Sequence, residues 1–132
     1  MSEINPITIL IVDDMPINRK VLEKQLYKYI STYNNVYIKT VKSGEDCLDY
    51  LKTNNVDVIF MDEYMKSDEL LGSETVIEIR KLNYNVKIIH YSTNSSIEDT
   101  EKYLEAGSDL VLKKPYPIKT IDSIVYNLMH NL

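Results

Sequence analysis

The chain has 132 residues, a length suited to one domain with a core of its own. Its formal net charge is −5 and it has no basic block, which argues against a nucleic-acid groove in this domain. No apolar run is long enough to cross a bilayer and the N-terminus lacks the pattern of a secretory signal, so we expect a cytoplasmic protein without membrane contact. The single cysteine, Cys47, excludes an internal disulfide framework and is expected to be a buried apolar residue.

Apolar periodicity predicts five strands that alternate with five helices. The strand segments are mostly rich in β-branched residues, and the first and third are nearly continuous apolar runs, as in strands buried on both faces of a parallel sheet. Apolar residues at helical spacing follow each strand. In chain order, the predicted elements are strand 7–12, a helix around 17–30, strand 36–41, a helix around 47–51, strand 56–61, a helix around 76–82, strand 86–91, a helix over 96–106, strand 109–113 and a helix around 118–128.

The helix over 96–106 has the weakest apolar pattern of the five. We expect Ile97 and Leu104 to anchor it to the core. Ser95 and Glu98 have the spacing of a capping box at its start, and Gly107 is expected to end it.

The alternation of elements predicts one α/β domain over residues 1–132, with an open parallel sheet, helices on both faces and right-handed connections. In such a sheet, functional side chains gather beyond the carboxyl ends of the strands. The residues at those ends are Asp13 and Asp14 after the first strand, Asp62 after the third, Ser92 and Thr93 after the fourth, and Lys114 and Pro115 after the fifth.

Three aspartates at one edge repel one another, so either some stay protonated or a hard cation neutralises them. An oxygen-only set of ligands suits Mg²⁺. With the charge screened, a carboxylate can attack phosphorus, and Lys114 and Ser92 are suited to stabilise the equatorial oxygens. The competing interpretation is structural, with Asp13 and Asp14 capping the next helix and Asp62 starting a turn.

Four segments, taken together and in order, resemble the receiver domains of response regulators from Ile7 to about Leu128. The resemblance implies a flavodoxin-like (βα)5 doubly wound sheet with strand order 2-1-3-4-5. The part INRKVL is especially similar to receivers attached to hybrid histidine kinases. The four segments are ILIVDDMPINRKVLEKQL, VDVIFMD, IIHYST and AGSDLVLKKP.

The resemblance also implies a metal site and a phosphoryl site. In the metal site, Asp14 binds Mg²⁺ directly, Asp13 binds it directly or through water, and the Tyr64 carbonyl completes the protein's share of the ligands together with Asp62. Mn²⁺ is an alternative ion.

In the phosphoryl site, the resemblance makes Asp62 the phosphoacceptor, with Ser92 donating a hydrogen bond to the phosphoryl group and Lys114 pairing with it. The Lys114–Pro115 bond is usually cis in the family. The expected donor is a phosphohistidine on a histidine kinase or a phosphotransfer protein. The resemblance leaves open whether the domain forms a homodimer. Catalysis is then confined to the domain's own phosphorylation and dephosphorylation, so we expect a signalling module and not an enzyme.

Several positions depart from the family pattern. In the loop DEYMKSDELLG after Asp62, Lys66 replaces a proline and Gly72 falls two residues late, which predicts a more mobile loop. Val111 stands where the family commonly has an aromatic switch residue. Tyr91 and Tyr116 are the candidates to take over the role of that aromatic residue.

Three residues near the acceptor are expected to tune the lifetime of the phosphoryl group. Thr93 replaces a smaller family residue, and Tyr64 and Asn94 occupy the two positions that tune dephosphorylation. We hypothesise that Tyr64 and Thr93 shield the phosphoaspartate from water. His90, inside the fourth strand, is expected to be packed and hydrogen-bonded and not a ligand.

Three other functions compete with phosphoryl acceptance. A phosphorylation-independent receiver, acting as a binding or dimerisation module, is favoured by Val111 and the altered loop and opposed by the intact site residues. A nucleotide- or flavin-binding protein is opposed by the absence of a glycine-rich loop after the first strand. An aspartyl phosphohydrolase is opposed by the lack of room for a substrate-covering cap.

Overall fold

A computed structural model of the protein describes residues 6–30, 33, 35–65, 70–82 and 84–130. It contains five strands, five α-helices and a short 3-10 helix within those ranges. In chain order the elements are β1 (Ile7–Val12), α1 (Pro16–Tyr29), β2 (Val36–Val41), α2 (Gly44–Leu51), β3 (Val58–Met61), α3 (Gly72–Lys81), β4 (Lys87–Ser92), α4 (Ile97–Ala106), β5 (Leu110–Lys113), the 3-10 helix Ile118–Thr120, and α5 (Ile121–His130).

The five strands form one parallel sheet in the order β2-β1-β3-β4-β5, which confirms the predicted fold. Alternate residues of the buried strands serve two cores. Ile9 and Ile11 of β1 pack with α1 and α5 on one face, while Leu10 and Val12 pack with α2 and α3 on the other. This two-sided burial explains why the first strand is a continuous apolar run.

The predicted strand bounds are right to within two residues. The third strand begins at Val58 instead of residue 56, the fourth spans Lys87–Ser92, and the fifth begins at Leu110. Cys47 is fully buried, as predicted. None of the described helices is long and apolar enough to span a membrane.

Two expectations for the fourth helix are wrong. Its N-cap is Ser96, whose Oγ accepts a hydrogen bond from the Asp99 amide at 3.1 Å, so the capping box from Ser95 does not form. Ile97 is 81% exposed and Leu104 is also exposed, whereas Tyr103 is 1% exposed and anchors the helix. A tyrosine replaces the expected aliphatic anchors because α4 covers a polar layer of the core, formed by His90 and Glu63.

The end of the fourth helix is as predicted. Gly107 has φ = 126°, a backbone conformation that disfavours side chains, and its amide bonds to the Leu104 carbonyl at 3.1 Å.

Candidate functional site

The sheet brings Asp13, Asp14, Asp62 and Lys114 together at its carboxyl edge. The strand ladders continue for one residue past the ends of β1, β3 and β5. The Asp13 amide donates to Val41, the Asp62 amide to Val12, and the Lys114 amide to Ser92, at 3.2, 3.0 and 2.9 Å. These bonds fix the backbone that carries the two aspartates and the lysine.

Three carboxylates form the centre of the site. Oxygen atoms of Asp13, Asp14 and Asp62 all lie within 4.8 Å of one another. Asp13 is nearly buried, and its Oδ1 accepts a hydrogen bond from the Met15 amide at 3.0 Å. Asp13 thus stabilises the turn into α1, but the N-cap of α1 is Met15, whose side chain makes no capping hydrogen bond, so the predicted capping by Asp13 and Asp14 is wrong.

Lys114 binds two of these carboxylates. Its Nζ lies 2.7 Å from Asp13 Oδ2 and 3.3 Å from Asp62 Oδ1, and it sits 5.4 Å from the centre of the Tyr91 ring. Burial alone would lower the pKa of Lys114, but the two aspartates outweigh burial and raise this pKa above its ordinary value. The Lys114–Pro115 peptide bond is cis, as predicted.

Asp62 carries an unfavourable charge when no cation is bound. Burial raises the pKa of Asp62 to about 6; Lys114 opposes the increase and the Asp13 carboxylate adds to it. The Asp62 side chain is 14% exposed, so it stays within reach of a ligand.

The chemistry of the pocket fits a hard divalent cation. Its donors are carboxylate oxygens, the kind that Mg²⁺ prefers, and their mutual repulsion is relieved by positive charge. The Tyr64 carbonyl, predicted as a further ligand, belongs to a residue whose side chain is exposed, directly after Asp62 and Glu63. Its role as a ligand stays a prediction.

Ser92 ends β4 with its side chain buried. Its Oγ accepts a hydrogen bond from the Asn94 amide at 3.2 Å. Thr93 is exposed and helps to line a cleft of about 360 Å³ together with Asp13, Tyr91 and Lys114. Thr93 therefore lies on the same cleft as Asp13 and Lys114, and its predicted place at the entrance to a phosphoacceptor stays a prediction.

The two tyrosines suggested as substitutes for a β5 aromatic are bound to each other. The Tyr91 hydroxyl accepts a hydrogen bond from the Tyr116 amide at 3.2 Å, and the Tyr91 ring packs edge-on against Phe60 at 6.2 Å. Val111 is paired with His90 in the sheet.

Sequence reasoning missed a buried residue directly beside Asp62. Glu63 is 0% exposed, and its carboxylate accepts hydrogen bonds from the Ser73 amide and hydroxyl at 2.7 and 2.8 Å and contacts His90 Nε2 at 2.8 Å. Burial would raise the pKa of Glu63, but the bonds from His90 and Ser73 outweigh burial and lower it.

The predicted packing of His90 is confirmed. Its Nδ1 lies 3.0 Å from Ser108 Oγ, and its ring stacks on the Tyr103 ring at 3.9 Å with 7° between the planes. His90 is a polar residue inside the apolar strand β4, and buried imidazoles are hydrogen-bonded. The sequence therefore signals a buried hydrogen-bonding partner for His90, such as Glu63.

An open parallel sheet with three carboxylates and a lysine at its carboxyl edge defines the class of receiver domains, which accept phosphoryl groups in two-component signalling and typically bind a divalent metal in an acidic pocket. The sequence model of the response regulator receiver domain matches residues 9–126, and the chain belongs to that family. Phosphoryl acceptance within two-component systems is therefore its role, and domains of this family interact with histidine kinases or phosphotransfer partners.

Relatives include both hybrid kinases and response regulators. The chain is 31% identical over 121 residues to the sensor histidine kinase RcsC of Escherichia coli (strain K12), covering 92% of this chain and 12% of the kinase. It is 29% identical over 118 residues to the heme response regulator HssR of Staphylococcus epidermidis, covering 87% of this chain and 48% of the regulator. The chain thus spans half or less of the length of these relatives.

Solved structures show the same architecture. The receiver domain of the Francisella response regulator 1452 superposes with a TM-score of 0.77 at 29% identity, covering 94% of this chain and 97% of that one. A CheY-like receiver domain protein from Methanospirillum hungatei gives a TM-score of 0.82 at 18% identity, with 96% of each chain covered, and supports the fold.

Proposed function

We propose that Asp62 is the phosphoacceptor and that Asp13, Asp14, Asp62 and the Tyr64 carbonyl hold Mg²⁺, or Mn²⁺ in its place. The observation that carries the proposal is the position of Lys114 Nζ, which lies within 3.3 Å of both Asp62 and Asp13 in a pocket of three carboxylates. The domain that does this is proposed to take in the whole chain, residues 1–132, since its elements run from Ile7 to His130.

Asp62 is better suited than Asp13 to attack phosphorus. The Asp13 carboxylate is held by Lys114 at 2.7 Å and by the Met15 amide at 3.0 Å, whereas Asp62 has a longer contact of 3.3 Å to Lys114 and a more open side chain. In the transfer, the bond between phosphorus and the donor's imidazole nitrogen breaks, and its electron pair stays on the imidazole. A new P–O bond joins the phosphoryl group to the Asp62 carboxylate.

The other groups of the site stabilise that transfer. The bound cation would supply positive charge to the acceptor carboxylate and to the phosphoryl oxygens. Lys114 would turn from the Asp62 carboxylate to a phosphoryl oxygen, and the Ser92 hydroxyl would donate a hydrogen bond to another. Self-catalysed dephosphorylation would use the same groups, with water attacking phosphorus in place of the donor.

The phosphohistidine donor is proposed to dock on the start of α1. Met15, Ile17 and Val21 are exposed apolar residues directly after the acidic pair, and Val21 also lines the cleft that reaches Asp13 and Lys114. An apolar surface that adjoins the cleft at Asp13 and Lys114 favours a protein partner there.

The rate of phosphoryl loss tests the proposed shielding of the acceptor. Thr93 lines the cleft beside Lys114, so Thr93→Ala should widen the path of water and shorten the phosphoryl lifetime. Decay followed by intact mass after removal of the donor measures this lifetime. An unchanged lifetime would remove Thr93 from the account.

The acceptor itself is tested with beryllofluoride, a phosphoryl mimic, and Mg²⁺, followed by amide NMR. Shifts centred on the site should need both Mg²⁺ and Asp62, should vanish in Asp62→Ala, and should persist in Asp49→Asn, which changes an exposed aspartate elsewhere. A folded protein that gives no shift with beryllofluoride and no adduct with acetyl phosphate would instead support a phosphorylation-independent binding or dimerisation module.

A further inference from the structure

The hydroxyl of Tyr103 is buried without a hydrogen bond. It is one of two buried side-chain oxygens that lack a partner among the described residues; the other belongs to Tyr33. Tyr103 is also the buried residue of α4, where its ring stacks on His90. A buried hydroxyl without a partner is unfavourable, so the feature needs an explanation.

Ser92 supplies the neighbouring polar group, because it lies two residues after His90 in β4, on the same face of the sheet as the imidazole on which the Tyr103 ring stacks. Burial raises the pKa of Tyr103, and Ser92 is near enough to oppose part of that increase. Ser92 Oγ already accepts the Asn94 amide at 3.2 Å, which leaves its own proton available to a second oxygen. The phenol oxygen of Tyr103 and a phosphoryl oxygen on Asp62 are the two acceptors that this proton can serve.

We infer that Tyr103 is a positioning residue for Ser92, and that its phenol oxygen competes with the phosphoryl group for the Ser92 hydroxyl. The inference rests on the proposed role of Asp62 and Ser92. Before phosphorylation, a small rotation of Ser92 pairs the two hydroxyls and holds α4 against the end of β4. After phosphorylation, Ser92 donates to the phosphoryl oxygen and Tyr103 loses that contact.

The remaining attachments of α4 converge on the same place. The Lys102 ammonium lies 3.7 Å from the Glu63 carboxylate, and Glu63 directly follows Asp62. The Tyr103 ring reaches Glu63 through His90, whose Nε2 contacts that carboxylate at 2.8 Å. Helix α4 is thus held through residues that adjoin the acceptor, and it is the element expected to respond when the acceptor changes.

No comparable group is available on β5 or at the end of the cleft. Val111 has no polar side-chain atom, and the Tyr91 hydroxyl is occupied by the Tyr116 amide. The Tyr103 hydroxyl on α4 is therefore the group that we expect to respond when Ser92 changes its hydrogen bond.

Tyr103→Phe tests the inference because it removes the hydroxyl and keeps the stacked ring. Tyr33→Phe is the matched control, since it removes the other buried hydroxyl that lacks a partner. In Tyr103→Phe, no phenol oxygen competes for the Ser92 hydroxyl. This variant should therefore bind beryllofluoride with Mg²⁺ about three- to tenfold more tightly than the unsubstituted protein, the range for loss of one competing hydrogen bond. Tyr33→Phe should bind it as the unsubstituted protein does.

A double substitution separates competition from a change in packing. In a Ser92→Ala background, the effect of Tyr103→Phe on beryllofluoride affinity should disappear, because the shared donor is gone. In the unsubstituted protein, the NMR signals of the Tyr103 ring and of the α4 amides should shift on beryllofluoride binding, while those of the Tyr33 ring should not. This last measurement does not depend on any variant folding.

The outcomes distinguish this inference from the proposed function. If the unsubstituted protein binds beryllofluoride, but Tyr103→Phe matches Tyr33→Phe and the Tyr103 ring does not respond, the inference is overturned and the role of Asp62 stands. If the effect of Tyr103→Phe persists with Ser92→Ala, competition for Ser92 is also overturned. If the folded, unsubstituted protein binds no beryllofluoride, the proposed function fails and the inference fails with it.

Discussion

Replacing Asp62 by asparagine should stabilise the metal-free protein at neutral pH. The pKa of Asp62 is raised from its ordinary value of 3.8 to about 6, chiefly by burial. The difference of about 2 pKa units, at about 1.4 kcal/mol per unit, corresponds to about 3 kcal/mol of destabilisation when the carboxylate is ionised. Asparagine removes the charge but also removes one partner of Lys114, so the expected net gain in the free energy of unfolding is about 1–3 kcal/mol.

The pH dependence of this gain has a definite sign. Above the ordinary pKa the unfolded chain has already lost the proton from Asp62, while the folded protein keeps it up to about pH 6. The folded state therefore binds more protons in this window, and the stability of the unsubstituted protein falls as pH rises from about 4 to about 6. The gain from Asp62→Asn should be near zero below that window and complete above it.

Urea unfolding in EDTA, at several pH values across the window, measures the gain. Asp49→Asn, at an exposed aspartate, is the control and should show no such pH-dependent gain. Added Mg²⁺ should reduce or reverse the advantage of Asp62→Asn, because the ion stabilises the state that binds it. Equal or lower stability of Asp62→Asn at every pH in EDTA would refute the argument from burial.

Three further substitutions or reactions test the packing of the core and of the residues around Asp62. His90→Leu leaves the Glu63 carboxylate buried without its imidazole partner and should lower the free energy of unfolding by about 3–5 kcal/mol; a loss under about 1 kcal/mol would show that the pair is not needed. A Cβ at Gly72 would overlap the Asp62 carbonyl oxygen, so Gly72→Ala should weaken both the urea resistance and the beryllofluoride response, and normal behaviour in both would contradict this packing. Burial raises the pKa of the Cys47 thiol to about 12, so iodoacetamide should modify it in urea and not in the folded protein, as mass spectrometry would report.

The sheet and the cluster of side chains at its carboxyl edge could be predicted from the sequence because each depends on local signals. Continuous β-branched runs define strands buried on both faces, and a parallel sheet places all their carboxyl ends at one edge. The clustering of Asp13, Asp62 and Lys114 could therefore be predicted without any knowledge of side-chain positions. The short distances between these side chains follow from the register of the strands.

The polar layer under α4 could not be predicted because it depends on contacts between distant segments. In the sequence, nothing distinguishes Glu63 from an ordinary acidic loop residue. Only the placement of His90 and Ser73 shows that it is buried. Helical periodicity suggested Ile97 and Leu104 as anchors of α4, yet the surface beneath the helix carries an imidazole. An aromatic ring that stacks on it, that of Tyr103, is the anchor that packing selects.

The site of phosphorylation is the central claim, and intact mass with peptide mapping after incubation with acetyl phosphate and Mg²⁺ tests it most directly. The account predicts a single phosphoryl adduct that maps to Asp62, requires Mg²⁺ and is absent from Asp62→Asn. An adduct that maps to another residue or that survives in Asp62→Asn, or no adduct on the folded protein, would contradict it.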